Sequence, residues 1–232
     1  MVSNCPEPLQ FSKALAFIHI HAADIISVVS GLDLKLRNLS DQARTLRLWA
    51  ALPRSLLGAG AQGSAGGGIK PIDLILEAIA PHGDILAPNT FAVLDDVRGI
   101  TPFHAEVFAG TDYEIMPGDG HCALFCPLVR LAQLSAEQFS EYWLNVHADF
   151  GRRDPNSRYR QLHASPHRTS ALVAASGFGA APFDGVAQAY FTDPDELRAK
   201  LSSPEIAMEA YEDERRFIDH ARSAFLPFER LI

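Results

Sequence analysis

Basic charge is in short supply. Twenty Lys and Arg face 28 Asp and Glu, a formal charge of −8. A chain of that balance does not attract nucleic acid or anionic lipid in general. Long apolar runs are also missing; none approaches the roughly 18–20 residues of a membrane span. The opening MVSNCPEPLQFSK lacks the charged and apolar regions of a secretory signal. These absences set the expectation of a soluble cytoplasmic protein with neither nucleic-acid nor membrane partners. Cysteine is scarce: Cys5, Cys122 and Cys126. Cys122 and Cys126 lie four apart in a strand-like run, too distant to bridge, and no CxxC or zinc spacing exists. They read as free thiols packed as small hydrophobes. Neither a G-x-S-x-G elbow nor a P-loop is present.

One glycine-rich stretch needs an answer. GAGAQG (Gly58–Gly63) fits the G-x-G-x-x-G dinucleotide fingerprint, which requires a strand before it and a helix after it. ARTLRLWAALPRSLL ahead of it reads as a helix, with Ser40–Leu57 capped and carrying Trp49. SAGGGIKP behind it cannot start one. Gly58–Gly68 is therefore expected to be a surface loop, and no NAD, FAD or other cofactor is expected.

The C-terminal half is ordered more plainly. HCALFCPLVR is a strand, and Ser135-Ala-Glu-Gln138 is a capping box opening a helix. YRQLHASPH is a strand and LVAASGFGAAP a small-residue connection. FDGVAQAYFTD is a strand, Asp193-Pro-Asp-Glu196 caps a helix, and Ser203-Pro-Glu restarts it to run through Phe217 and Ile218. SAFLPFERLI closes as a strand. The order is β-α-β-β-α-β, the ferredoxin-like arrangement. The N-terminal half repeats parts of it: KALAFIHI as a strand, then a first helix. AEVFAGTDYEI (Ala105–Ile115) aligns with AQAYFTDPDEL (Ala187–Leu197) without a gap, and Trp49 matches Trp143. A worn duplication follows, with halves 1–116 and 117–232.

LSAEQFSEYWLNVHADF, FDGVAQAYFTDPDELRAKLSSPE and EDERRFID resemble the EthD family over roughly residues 121–230. The resemblance implies a dimeric α+β barrel, here an α+β fold of tandem ferredoxin-like units closing a barrel within one chain. Relatives of that barrel type include monooxygenases, muconolactone isomerases, polyketide cyclases and decarboxylases. The N-terminal half departs from the pattern, with Pro53 where Trp143 is followed by His147. At most one family-like site is expected, and a homodimer is compatible with the fold.

On a helical wheel Phe139, Trp143, Val146 and Phe150 form an apolar stripe, with Tyr142 at one margin and His147 at the other. His147 is the candidate proton donor or acceptor, and Tyr142 the candidate hydrogen-bond donor to a substrate oxygen. Trp143, Phe139, Tyr159, His163 and Tyr190 are assigned to substrate binding. His163 and His167 share a strand face with Tyr159, about 13 Å apart and too far for one ion. His19 and His21, with Asp24 nearby, are the best metal candidates, though the overall expectation is no metal. The acidic run EDERR reads as a solvated helix face. The function expected is a cofactor-independent lyase, isomerase or monooxygenase acting on an apolar, oxygen-bearing, aromatic or polyketide-like molecule. A binding module of the same fold is the alternative.

Overall fold

The computed structural model describes residues 7–21, 24–39, 45–57, 69–81, 91–201 and 204–232, with side chains at 34, 37–39 and 204–207 excepted. The elements of the first half are β1 (Leu9–His19), α1 (Ile25–Leu39), β2 (Thr45–Ala51), β3 (Leu74–Pro81), α2 (Ala92–Arg98) and β4 (His104–Met116). The second half has β5 (Cys122–Leu128), α3 (Ala136–Tyr142), a π-helical turn (Trp143–His147), α4 (Ala148–Arg152), β6 (Tyr159–Ala164), α5 (Pro166–Ser176), β7 (Gly179–Ala180), β8 (Gly185–Phe191), α6 (Pro194–Leu201), α7 (Pro204–Glu214) and β9 (Leu226–Arg230).

The sheet runs β1-β3-β2-β9-β5-β8-β6-β4, and β1 pairs β4 to close it; the short β7 lies parallel against β4. Each half therefore orders its own four strands 4-1-3-2, as a ferredoxin-like unit does. The seams are antiparallel. β2 meets β9 with Trp49 opposite Arg230, and β4 meets β6 with Gly110 opposite Ala164. At Gly110 a Cβ would lie 1.8 Å from the His163 carbonyl oxygen, so this seam requires glycine.

Strands buried on both faces read as nearly unbroken apolar runs, and β1 shows why. Ala14, Ala16 and Ile18 face α1 and α2, while Leu15 and Phe17 face the lumen. The lumen is filled by Trp49, Phe108, Phe125, Tyr190 and Phe228, among others. It also holds ions. Lys13 is fully buried, 3.0 Å from both Glu77 and Asp112, and donates to Gln188 at 2.6 Å. Burial would raise the Glu77 pKa, but the charges of Lys13 and Arg47, with donors from Gln188 and Lys13, hold it near 2.

Several expectations fall here. Residues 45–51 are strand β2, not helix, because Leu48 and Trp49 must alternate between the outer core and the lumen. A strand followed by a 3-10 turn (Arg54–Leu57) thus precedes the glycine run, which itself lies outside the described residues. Trp49 on a strand is not the counterpart of Trp143 on a helix. Ala105–Ile115 is a fourth strand and Ala187–Phe191 a third, so the aligned segments occupy different places. What the two halves share is strand order. Residues 166–176 form α5, capped by Ser165 with Pro166 in its first turn. His167 is consequently an exposed residue of this helix, not on the strand of His163.

Candidate functional site

The capping box forms as read: Ser135 accepts from the Gln138 amide and Gln138 accepts from the Ser135 amide. The helix it opens does not stay regular. Trp143–His147 is a π-turn, a widening found often at functional sites. The Trp143 carbonyl accepts from the Ala148 amide and from Gln161 Nε2 at 3.0 Å. The insertion shifts the phase of every later side chain. Val146, expected in the apolar stripe, is 45% exposed, whereas His147 is 7% exposed and Ala148 is buried.

His147 is pressed between Phe150 and Phe217, with ring centroids 5.3 and 5.0 Å away. Its Nδ1 donates to Asp213 Oδ2 at 2.9 Å, and Tyr142 donates its hydroxyl to Asp213 Oδ1 at 2.6 Å. Arg216 adds a positive charge 3.8 Å from the same carboxylate. Burial, then donation to Asp213, raises the Tyr142 pKa, so it remains a phenol. A carboxylate only accepts at neutral pH, so it fixes the proton of neutral His147 on Nδ1 and leaves the lone pair on Nε2. Asp213 comes from α7, inside the run read as a solvated face. The signal that was present is Phe217 four residues on, which marks the inward side of that segment.

Trp143, Tyr159 and His163 form a second group one turn away. Trp143 stacks on His163 at 4.4 Å and donates to the Tyr159 hydroxyl at 3.1 Å. Ser140 Oγ lies 2.5 Å from His163 Nδ1, and Gln161 Oε1 lies 3.0 Å from Nε2. Burial lowers the His163 pKa to about 3, so it is neutral. Phe139 packs against both Trp143 and Phe217. Tyr190 is apart from these: it faces the lumen beside Trp49, on the opposite side of the sheet. Two cavities of about 410 Å³ lie at Val129–Arg130 with Phe183–Asp184, and at Arg47 with His121 and Arg230. His147 lines neither.

Residues 132–221 match the family model described as EthD domain, which confirms the resemblance in the C-terminal half. No curated protein matches the chain in sequence. Among solved structures, an anthrone oxidase-like protein aligns at TM-score 0.57 and 10% identity, over 96% of this chain and 92% of that one. A putative chlorite dismutase aligns at 0.54 and 8%, over 96% and 95%. A putative monooxygenase from Lactobacillus acidophilus aligns at 0.53 and 9%, over 96% and 94%. At these identities the likeness establishes the α+β barrel. Among the described residues no helix is long and apolar enough to cross a membrane.

Proposed function

We propose that the chain is an EthD-like, cofactor-independent lyase or isomerase that moves a proton on an apolar, oxygenated substrate of the aromatic or polyketide-like class. The observation that carries this reading is the His147–Asp213 pair. An imidazole held in one tautomer by a carboxylate has a defined basic nitrogen, and the carboxylate stabilises the imidazolium formed when that nitrogen takes a proton. His147 is the base and then the acid. Asp213 positions it, and Tyr142 holds the other oxygen of the same carboxylate. Phe150 and Phe217 supply apolar walls that suit a ring system. All of these residues lie within the segment 132–221 that matches the EthD model, which supports the reading.

The test requires no knowledge of the natural substrate. A tricyclic aryl ketone with an enolisable methylene is incubated with the protein in D₂O, and exchange at that carbon is followed by NMR. The native chain accelerates exchange, and His147→Phe removes the acceleration while its circular dichroism stays unchanged. Equal exchange by both proteins overturns the reading. Tight binding of the ketone with no exchange in either would instead make the fold a binding module.

A further inference from the structure

At one rim of the barrel three acceptors converge. His19 ends β1 directly opposite His104, the first residue of β4, and Glu106 lies two residues along on the same face. The imidazole rings are 5.5 Å apart and inclined by 27°. His19 Nδ1 stands 2.6 Å from the Pro71 carbonyl oxygen. A carbonyl can only accept, so Nδ1 carries a proton and the neutral ring presents its lone pair at Nε2. That Nε2 is buried and has no hydrogen-bond partner among the described residues. It points to Glu106 Oε2, 4.0 Å away, while His104 Nε2 stands 3.7 Å from Glu106 Oε1.

A lone pair facing a carboxylate is unfavourable unless a positive centre lies between them. A proton on His19 would serve, and so would a metal ion. Two further features favour the metal. Both imidazoles converge on one carboxylate. The distal nitrogen of His19 is also fixed by a backbone carbonyl, the partner that orients metal-bound histidines and sets their tautomer. We propose that His19, His104 and Glu106 bind a divalent transition ion such as Zn²⁺ through two imidazole nitrogens and a carboxylate.

Bonds of about 2.0–2.2 Å put two ligands of one tetrahedral ion about 3.3–3.5 Å apart. The observed 3.7 and 4.0 Å exceed that spacing, so binding an ion requires the three side chains to draw in. Among the described residues no cluster is already drawn into metal-ligand spacing. His104 is half-exposed and gives the ion a path from solvent. The fourth position is left to water or a ligand oxygen. The set includes one histidine of the pair singled out in the sequence, but replaces His21, which is exposed beyond the end of β1, with a cross-strand partner. It is independent of the His147 site, which lies on the other face of the sheet and in the other half.

The full chain is stripped with EDTA and titrated with Co²⁺, followed by visible d–d absorption, and with Zn²⁺ by calorimetry. His104→Ala and Glu106→Gln alter partly exposed side chains; His167→Ala, exposed on α5, is the control. The native chain and His167→Ala should bind one equivalent, with cobalt bands of a nitrogen–oxygen site. His104→Ala and Glu106→Gln should each weaken binding at least 10-fold. The proposal is overturned if the native chain gives no cobalt spectrum or if both variants bind like it. It is equally overturned if NMR finds His19 as an imidazolium that cobalt does not perturb.

Discussion

Asp213 accepts the Nδ1 proton of His147 at 2.9 Å, joining two residues 66 positions apart. In the proposed reaction the carboxylate fixes which ring nitrogen is basic, so replacing it tests proton transfer more than packing. Asp213→Asn should lower the turnover number for proton exchange by about 10²-fold or more, the usual range for disrupted acid–base catalysis. The Michaelis constant should change little, because the substrate-facing surface is unaltered. Steady-state kinetics on the aryl ketone check this. A rise in the Michaelis constant with unchanged turnover would place Asp213 in binding instead.

Lys13 is shared by two carboxylates inside the barrel. Lys13→Met leaves Glu77 and Asp112 with less compensation in a buried setting, although Arg47 and Arg160 remain nearby. Removing one partner of a buried pair costs about 3–5 kcal/mol. Urea unfolding should show a loss of that order. A change below about 1 kcal/mol would mean that the arginines suffice.

His163 is buried neutral, with its pKa lowered to about 3 from the ordinary 6.5. Below pH 6.5 the unfolded chain takes up a proton that the folded chain refuses. The contribution of neutral His163 is therefore complete above about pH 6.5 and is lost as pH falls toward 3. His163→Phe removes this dependence. The stability difference between native and variant should shrink as pH falls from 7 to 4, with a slope of up to about 1.4 kcal/mol per pH unit. Parallel curves across that range would contradict it.

Gly110→Ala should damage the β4–β6 seam, because the new methyl would collide with backbone at His163 rather than with a flexible side chain. Overpacking of this kind typically costs about 1–3 kcal/mol. Thermal unfolding should show the loss. Gly177→Ala, at the C-terminus of α5, should be destabilised for a different reason, its positive φ of 66°, since nothing lies within 4 Å of that Cβ.

Short, largely apolar segments made β5 and β8 legible, and side-chain caps made the starts of α3 and α6 legible. Their causes are local. Where the cause is tertiary, the reading failed. RLWAAL has an apolar spacing compatible with a helix, and only the demand for one face in the lumen and one against the outer core makes it β2. Helix α1 sets Val28, Leu32 and Leu36 at four-residue spacing, a helical pattern already present in the sequence. The π-turn has no sequence signature, and it exchanged the positions of Val146 and His147 relative to an ideal wheel. Asp213 was hidden because one buried carboxylate in EDERR looks like its exposed neighbours until Phe217 shows which way the chain turns. The ferredoxin-like order of the first half was legible only in outline, since the sequence matches invoked for it pair unlike elements.

The most direct measurement is a crystal structure of the chain soaked with the aryl ketone or a phenolic analogue of its enol. The account predicts density beside Phe150 and Phe217, with the exchangeable carbon or its oxygen within about 3.5 Å of His147 Nε2, near-attack range for proton transfer. Ligand found only in the cavity of Arg130 and Phe183, with His147 still covered by Phe217, would contradict it.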